Sequence, residues 1–149
     1  MKKNYELNNS SKNHIIHKLA LSDQQGDGYI HFKDIKDENA GGATLDKTRN
    51  INDTQSEKIK IERLDDLYKF KNENIFIKID VEGFEKQVIK GAIDNLKNNK
   101  ILMYLETEDP ELLSYMQKLN FKILYPHFRE NKYKFLEKQQ GVDILLKNF

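Results

Sequence analysis

The second half of the chain carries the clearest alternation of apolar and polar positions. Residues 75–80 read IFIKID, a short apolar run typical of a strand that is buried on both faces of a parallel sheet. Over about residues 83–98 the apolar residues recur at helical spacing and predict a helix with one face toward a core. Those apolar residues are Phe84, Val88, Ile89, Ala92, Ile93 and Leu96.

Another helix and three more strands are predicted after this pair. Asp109, Pro110 and Glu111 are typical of a helix start, because they supply an N-cap side chain, a proline at the first helical position and an acid near the positive end of the helix dipole. This helix is expected over 110–119. The predicted strands are 101–107 (ILMYLET), 121–126 (FKILYP) and 141–148 (GVDILLKN). The order strand, helix, strand, helix, strand, strand indicates an α/β fold whose final pair of strands is antiparallel.

The first half of the chain predicts shorter elements. Residues 14–21, HIIHKLAL, form a short strand that runs into a cluster of turn residues. Residues 29–34 alternate as a second strand, and Asp27-Gly28 before them is typical of a β-hairpin turn. The other predicted elements are the end of a helix at 3–9, a loop at 36–57, a strand at about 58–62 and a helical turn at 64–69.

Composition and charge exclude several classes of function. The net charge of +1 over 149 residues gives no reason to expect a nucleic-acid or membrane partner. The absence of cysteine excludes disulfides, thiolate metal sites and a cysteine nucleophile. No apolar run approaches the roughly 20 residues of a membrane span, and the N-terminal MKKNYELNN lacks the apolar region of a signal peptide. These features favour a single cytoplasmic domain.

Carboxylates crowd the points where two of the predicted strands end. Asp80 ends the strand at 75–80, Glu82 and Gly83 open the following helix, and Glu106 ends the next strand. Ligands of open α/β sheets bind at the carboxyl ends of the strands. Acids placed there can accept a proton from a hydroxyl group, hold sugar hydroxyls or bind a hard cation. The alternative is structural, with Glu82 and Glu85 capping the helix and the other acids exposed to solvent.

A calcium-binding loop is a lesser alternative for residues 23–34, DQQGDGYIHFKD. This segment places Asp at positions 1 and 5, Gly at position 6, Ile at position 8 and an acid at position 12 of an EF-hand loop. Gln25 at position 3 and the short Asp34 at position 12 depart from that pattern. No second loop is present to pair with it.

The run FIKIDVEGFEKQVIKGA, residues 76–92, resembles the signature of FkbM-type methyltransferases, which use S-adenosylmethionine. Four other segments resemble parts of that family in the same order. They are ALSDQQG at 20–26, ENAGGATL at 38–45, IERLDDL at 61–67 and ILMYLET at 101–107. The resemblance covers about residues 3–125, and its specificity lies in the ordered set of segments.

The resemblance implies a class-I, Rossmann-like methyltransferase sheet that binds S-adenosylmethionine. The adenine of this cofactor is then expected near Ser22 and Asp23, and its reactive methyl group near Asp80. The chain would form one partial domain, in which 1–70 hold the third strand, the hairpin and the loop. Residues 71–149 would hold strands four to seven with their helices.

The resemblance also implies a methyl acceptor, the hydroxyl group of a sugar or another small molecule. Glu82, Glu106 and the 38–45 loop, which contains Asn39, are expected to face this acceptor. A carboxylate or a histidine then removes the proton of the acceptor. Asp80 is the candidate base and Glu82 stands beside it, while His127, just past a predicted strand end, is the reserve. The alternative for His127 is an ordinary surface histidine.

Two parts of the family pattern have no counterpart in this sequence. The family places a glycine-rich turn after its first strand and a ribose-binding acid after its second. Gly26-Asp27-Gly28 precedes a strand rather than a helix, and no predicted strand precedes Gly41-Gly42. Since the implied sheet has the order 3-2-1-4-5-7-6, we expect the strand at 75–80 to be an exposed edge and cofactor binding by this chain to be weak. The alternative function is a non-catalytic remnant or interaction module.

Overall fold

The computed structural model describes residues 15–32, 43–44, 56–129, 132–136 and 141–149. Its strands are β1 (Leu19–Leu21), β2 (Gly26–Phe32), β3 (Ala43–Thr44), β4 (Ser56–Glu62), β5 (Asn74–Ile79), β6 (Lys100–Glu106), β7 (Lys122–Arg129), β8 (Lys132–Leu136) and β9 (Asp143–Lys147). Its helices are α1 (Leu64–Leu67), α2 (Glu85–Lys90), α3 (Ile93–Asn98) and α4 (Pro110–Lys118). Within these ranges, no helix has the length and apolar character needed to cross a membrane. The predicted helix end at 3–9 lies outside the described residues.

The first sheet has the order β1-β4-β2-β3. β1 runs parallel to β4, while β2 runs antiparallel to both β4 and β3. Asp27 and Gly28 lie inside β2, opposite Lys60 and Ile59, so the predicted hairpin turn at these residues is wrong. β1 and β2 are separated by β4, because pairing with this distant strand outweighs the local turn signal. A paired strand over 26–32 also replaces the loop that an EF-hand site requires.

The second sheet has the order β5-β6-β9-β7-β8. β5 and β6 are parallel, and β9 is inserted between β6 and β7 and is antiparallel to both. The predicted strands at 75–80 and 101–107 and the antiparallel final pair are therefore confirmed. β7 is longer than predicted and continues into a hairpin with β8, which the sequence pattern did not indicate.

The predicted helix over 83–98 is two helices, α2 and α3, separated at Gly91 and Ala92. A Cβ atom at Gly91 would lie 1.9 Å from the carbonyl oxygen of Ser22, just after β1. Glycine at this position therefore permits close contact between the end of β1 and the helix pair. The Gly91 carbonyl also accepts a hydrogen bond from the Asp65 amide at 3.0 Å, which joins α1 to the same point.

The hydrophobic core lies on one face of the second sheet, against α2, α3 and α4. Side chains of β6 alternate between buried and less buried positions, as expected when only one face of a strand is covered. β5 behaves in the same way, since Ile79 is 5% exposed and Phe76 is 64% exposed. The prediction of burial on both faces was therefore wrong for β5, whereas its expected place at the edge of the sheet is confirmed. The buried hydrophobic residues are Ile79, Val88, Ile89, Ala92, Leu96, Ile101, Met103, Leu105, Leu112, Met116, Phe121, Ile144 and Leu146.

A buried carboxylate fixes α1 to α3. Asp65 is 4% exposed and accepts hydrogen bonds from the amides of Asp94 and Asn95, both at 3.0 Å, and from the side chain of Asn95 at 2.8 Å. These bonds satisfy amides at the first turn of α3 that have no partner within the helix. The segment after β4 is thereby held beside the helices that follow β5.

Candidate functional site

A tight turn follows β5 and presents two carboxylates. Glu82 and Gly83 both have left-handed backbone conformations, with φ values of 51° and 96°. Glycine accepts this conformation freely, whereas glutamate rarely adopts it. The turn is closed by a 3.0 Å hydrogen bond from the Gly83 amide to the carboxylate of Glu85. Glu85 therefore stabilises the turn, while Asp80 and Glu82 remain exposed.

Strand register places carboxylates side by side at this end of the sheet. Ile79 pairs with Leu105 across β5 and β6, so the next positions, Asp80 and Glu106, are neighbours. Across β6 and β9, Glu106 is directly opposite Asp143. We call Asp80, Glu82, Glu106 and Asp143 the acid rim. The parallel register thus brings the carboxylates that follow β5 and end β6 to the same edge of the sheet.

The surroundings of Glu106 in the acid rim change its proton affinity. The pKa of Glu106 is raised, first by partial loss of hydration and then by the negative charges of Asp80, Asp143 and Glu82, while Lys78 opposes the shift. Lys78 forms a 3.0 Å ion pair with Asp80. Glu106 therefore keeps its proton to a higher pH than an ordinary glutamate does.

Tyr104, on β6, completes the polar surface of the rim. Its hydroxyl donates a hydrogen bond to Asp143, and this bond is the first cause of a pKa raised to about 12. Loss of hydration and the charges of Asp143, Glu106 and Asp80 add to the shift. Tyr104 therefore stays protonated at physiological pH and acts as a hydrogen-bond donor.

An apolar cavity of about 380 Å³ lies between β1 and β5, and Asp80 is on its wall. The other lining residues are Leu19, Ala20, Leu21, Ile30, Leu64, Ile77, Lys78, Ile79, Val81, Phe84, Val88, Ala92, Leu96 and Met103. Ser22 and Asp23 follow β1 but are not among them. Ser22 is 5% exposed, and its hydroxyl donates to the Asp23 carboxylate at 3.2 Å. Asp80 and β1 thus line the same cavity. The roles of Ser22 and Asp23 stay predictions.

The remaining predicted site residues are placed differently. His127 lies within β7, paired with Lys134 of β8, so its expected position just past a strand end is wrong. The cause is the unpredicted hairpin, which extends β7 through Arg129. Asn39 and most of its loop lie outside the described residues. Asp143 was missed, and its only sequence signal was an acid at the start of the last alternating segment.

The acid rim consists mainly of hydrogen-bond acceptors, and few cations lie near it. In the part of the chain that the structure describes, no group of three or more His, Asp and Glu side chains could hold a metal ion. Carboxylates and a tyrosine hydroxyl can bind the hydroxyl groups of a neutral ligand. They disfavour a phosphate or another anion.

Comparison with known proteins gives one finding. A family model described as "Methyltransferase FkbM domain" matches residues 1–123. Searches of curated proteins and of solved structures each found no match. The matched segment contains Asp80, Glu82 and Glu106, and Asp143 lies beyond it.

Proposed function

Because this chain belongs to the FkbM methyltransferase family, we propose that it transfers a methyl group from S-adenosylmethionine to a hydroxyl group of a sugar or another small molecule. The observation that carries this proposal is the position of Asp80. Asp80 lines the apolar cavity and also lies beside Glu106 in the acid rim. A donor in the cavity and an acceptor at the rim would therefore meet at the end of β5.

The order of the second sheet supports a class-I methyltransferase fold. Counting β5, β6, β7 and β9 as strands four to seven, the observed order β5-β6-β9-β7 is the order 4-5-7-6 of the implied sheet. In this arrangement the carboxyl ends of β5 and β6 lie at one edge, where ligands of open α/β sheets bind.

The cavity residues fit S-adenosylmethionine in size and character. A volume of about 380 Å³ is within the range of roughly 300–1,000 Å³ found for small-molecule sites. Its apolar wall suits a nucleoside ring, and the Asp80 carboxylate would attract a positively charged sulfonium group. When bound, this cofactor supplies an activated methyl group. Ser22 and Asp23 remain the proposed residues on the adenine side.

Positioning accounts for most of the proposed catalysis. Methyl transfer needs the acceptor oxygen in line with the methyl carbon, and orientation of this kind can lower a barrier substantially. The rim carboxylates and Tyr104 would orient the acceptor through its hydroxyl groups. One rim carboxylate then takes the hydroxyl proton.

An interaction module is the second candidate, and the free edge of β5 favours it. β5 stands at the edge of its sheet, and Phe76 on this strand is 64% exposed. An exposed apolar edge strand can pair with a strand from another chain. This function would need no cofactor.

Calorimetry with S-adenosylmethionine and with S-adenosylhomocysteine tests the proposed function. We expect Asp80→Asn to weaken binding of S-adenosylmethionine by about tenfold, the value of one charge-assisted contact. Binding of S-adenosylhomocysteine should change less, because it carries no sulfonium charge. Asp94→Asn, an exposed acid on α3, is the matched control. No binding of either ligand at millimolar concentration would contradict the proposal and favour the interaction module.

A further inference from the structure

The second sheet has one face that no described helix buries. The buried residues of α2, α3 and α4 form one cluster with residues such as Met103 and Ile144 on the other face. Side chains alternate between the two faces of a strand, and the strand register aligns the remaining positions into rows. We call these positions the open face. They are Phe76, Lys78, Leu102, Tyr104, Glu106, Lys122, Leu124, Asp143, Leu145 and Lys147.

The centre of the open face is apolar. Tyr104, Leu145 and Leu124 lie side by side across β6, β9 and β7, and all three are partly exposed. Phe76 is 64% exposed on β5, and it lines a shallow groove with Phe149, which is 62% exposed. Contiguous apolar surface of this kind marks an interaction site on a soluble protein.

Charges on the open face are separated along the strands. Lys122 and Lys147 are paired at one end of the face, and Glu106 and Asp143 are paired at the other. Asp143 and Lys147 are four residues apart on β9, roughly 13 Å at the usual rise of a strand, so they do not pair with each other. Among the described residues, neither Lys122 nor Lys147 forms an ion pair.

We propose that the open face is the interface between two copies of this chain, packed face to face about a two-fold axis that crosses Leu145. The axis lies between the two sheets and perpendicular to the strands, so β9 of each copy runs antiparallel over β9 of the other. Leu145 then faces Leu145 of the partner subunit, and Asp143 faces Lys147 of the partner subunit. A two-fold contact requires a self-complementary surface, and acid, leucine and lysine at alternate positions of β9 form one. Face-to-face packing of sheets, about 10 Å apart, is a common arrangement.

This interface does not depend on the proposed function. The cavity is lined by residues of the helix side, such as Ile79, Val88 and Ala92, so a second copy on the open face does not fill it. Within the acid rim, Asp143 would contact the partner subunit, while the other three carboxylates would remain for the acceptor. The interface also differs from the free edge of β5, because it uses the face of the sheet.

Sedimentation of charge-reversed chains tests the proposal. We expect the unaltered chain to dimerise at micromolar concentration. Lys147→Glu or Asp143→Lys alone should weaken the dimer by about tenfold or more, because each places like charges together. An equal mixture of the two variants should recover a dimer, since each chain then offers the opposite charge at both contacts. Lys90→Glu, an exposed lysine on α2, is the matched control and should leave the dimer unchanged.

Three outcomes of sedimentation would overturn the proposal. The first is an unaltered chain that stays monomeric at high micromolar concentration. The second is a dimer that neither charge reversal weakens, because the interface then lies elsewhere, for example at the free edge of β5. The third is a pair of weakened variants that do not recover on mixing, because the two charges then do not face each other. Recovery on mixing also shows that both variants are folded.

Cross-linking tests the position of the axis. Because the chain contains no cysteine, Leu145→Cys introduces a single thiol next to the same thiol of the partner subunit. We expect a short bismaleimide to link two copies of this variant, and Lys90→Cys, on the helix side, to remain unlinked. Linking of Lys90→Cys but not of Leu145→Cys would place the interface on the opposite face and overturn the proposal. Neither measurement needs a methyl donor, so a failure of methyl transfer leaves the result intact.

Discussion

At the residue scale, local sequence motifs identify three side chains of the acid rim as site candidates, and strand pairing identifies the fourth. Asp80 and Glu82 were predicted from one short motif, and Glu106 from the end of the next predicted strand. Asp143 is distant in sequence and becomes a neighbour of Glu106 only because β9 is inserted beside β6. His127 was misplaced because the hairpin that extends β7 was not predicted. Local sequence can identify the ends of strands, but it cannot identify which strands become neighbours.

Lost hydration of Glu106 and repulsion within the rim predict that Glu106→Gln stabilises the fold at neutral pH. The folded-state pKa of Glu106 is raised above its ordinary value. Stability linked to this group is therefore fully present below the ordinary glutamate pKa of about 4.3 and is lost as pH rises through the raised folded value. Urea unfolding should show a higher midpoint for Glu106→Gln than for the unaltered chain at pH 7 and equal midpoints near pH 3. A lower midpoint at pH 7 would show that Glu106 makes a net favourable contact.

The buried Asp65 carboxylate predicts a large effect of Asp65→Ala. Removing it leaves buried amides of α3 and the Asn95 side chain without their acceptor. Unmade buried hydrogen bonds cost roughly 1–3 kcal/mol, so we expect the free energy of unfolding to fall by about 3 kcal/mol. Asp66→Ala is the control, because its carboxylate is partly exposed, lies 3.8 Å from the Arg63 guanidinium and accepts a 3.3 Å hydrogen bond from the Gln25 side chain. We expect this control to lose less than about 1 kcal/mol, and equal losses would contradict the role of Asp65.

At the element scale, sequence patterns correctly predicted the helices and strands that bury one face and carry residues typical of their own ends. α4 is an example, since Asp109 accepts a hydrogen bond from the Glu111 amide at 2.8 Å and Pro110 occupies the first turn. β5, β6 and β9 were found within a few residues of their bounds. The patterns failed at the single helix expected over 83–98 and at the hairpin expected at Asp27-Gly28. Both failures come from contacts with distant segments, β1 in one case and β4 in the other.

The break between α2 and α3 predicts an unusual response to Gly91→Ala. Gly91 has an ordinary right-handed conformation, with φ of −76°, so helix propensity alone would favour alanine by up to about 1 kcal/mol. Its Cβ would instead lie 1.9 Å from the Ser22 carbonyl oxygen. We expect a net loss of about 1–3 kcal/mol in thermal or urea unfolding, the usual cost of overpacking. Lys90→Ala, the exposed neighbour, is the control, and a stabilised Gly91→Ala would show that β1 does not pack against the helix pair.

At the scale of the whole molecule, stability is concentrated in the second sheet. The buried hydrophobic cluster extends from Ile79 to Leu146. Among the side chains that the structure describes, the hydrophobic residues of the first sheet and α1 that pack against it, Leu21 and Leu64, are partly buried. Periodicity predicted an α/β fold, and the resemblance, rather than periodicity, supplied the order of the strands. Neither periodicity nor the resemblance predicted the packing of the first sheet. Its contacts join residues far apart in sequence and depend on a close approach at Gly91.

This distribution predicts two levels of protection in amide hydrogen exchange. Amides of β6 and β9 lie in the core sheet and should exchange only through global unfolding. Amides of β2 and β4 lie in a sheet with few buried side chains and should exchange at least about tenfold faster through local opening. Nuclear magnetic resonance or mass spectrometry of exchange measures both sets in one sample. Equal protection of the two sheets would indicate one cooperative unit.

The insertion of β9 between β6 and β7 has a consequence for the growing chain. Among the described strands, β9 leaves the ribosome last, yet it occupies the interior of its sheet. Until then the facing edges of β6 and β7 are unpaired, and the nascent protein is open to mispairing with other chains. Arrival of β9 closes the sheet and brings Asp143 to Glu106 in the same event. The acid rim is therefore complete only once β9 has been synthesised.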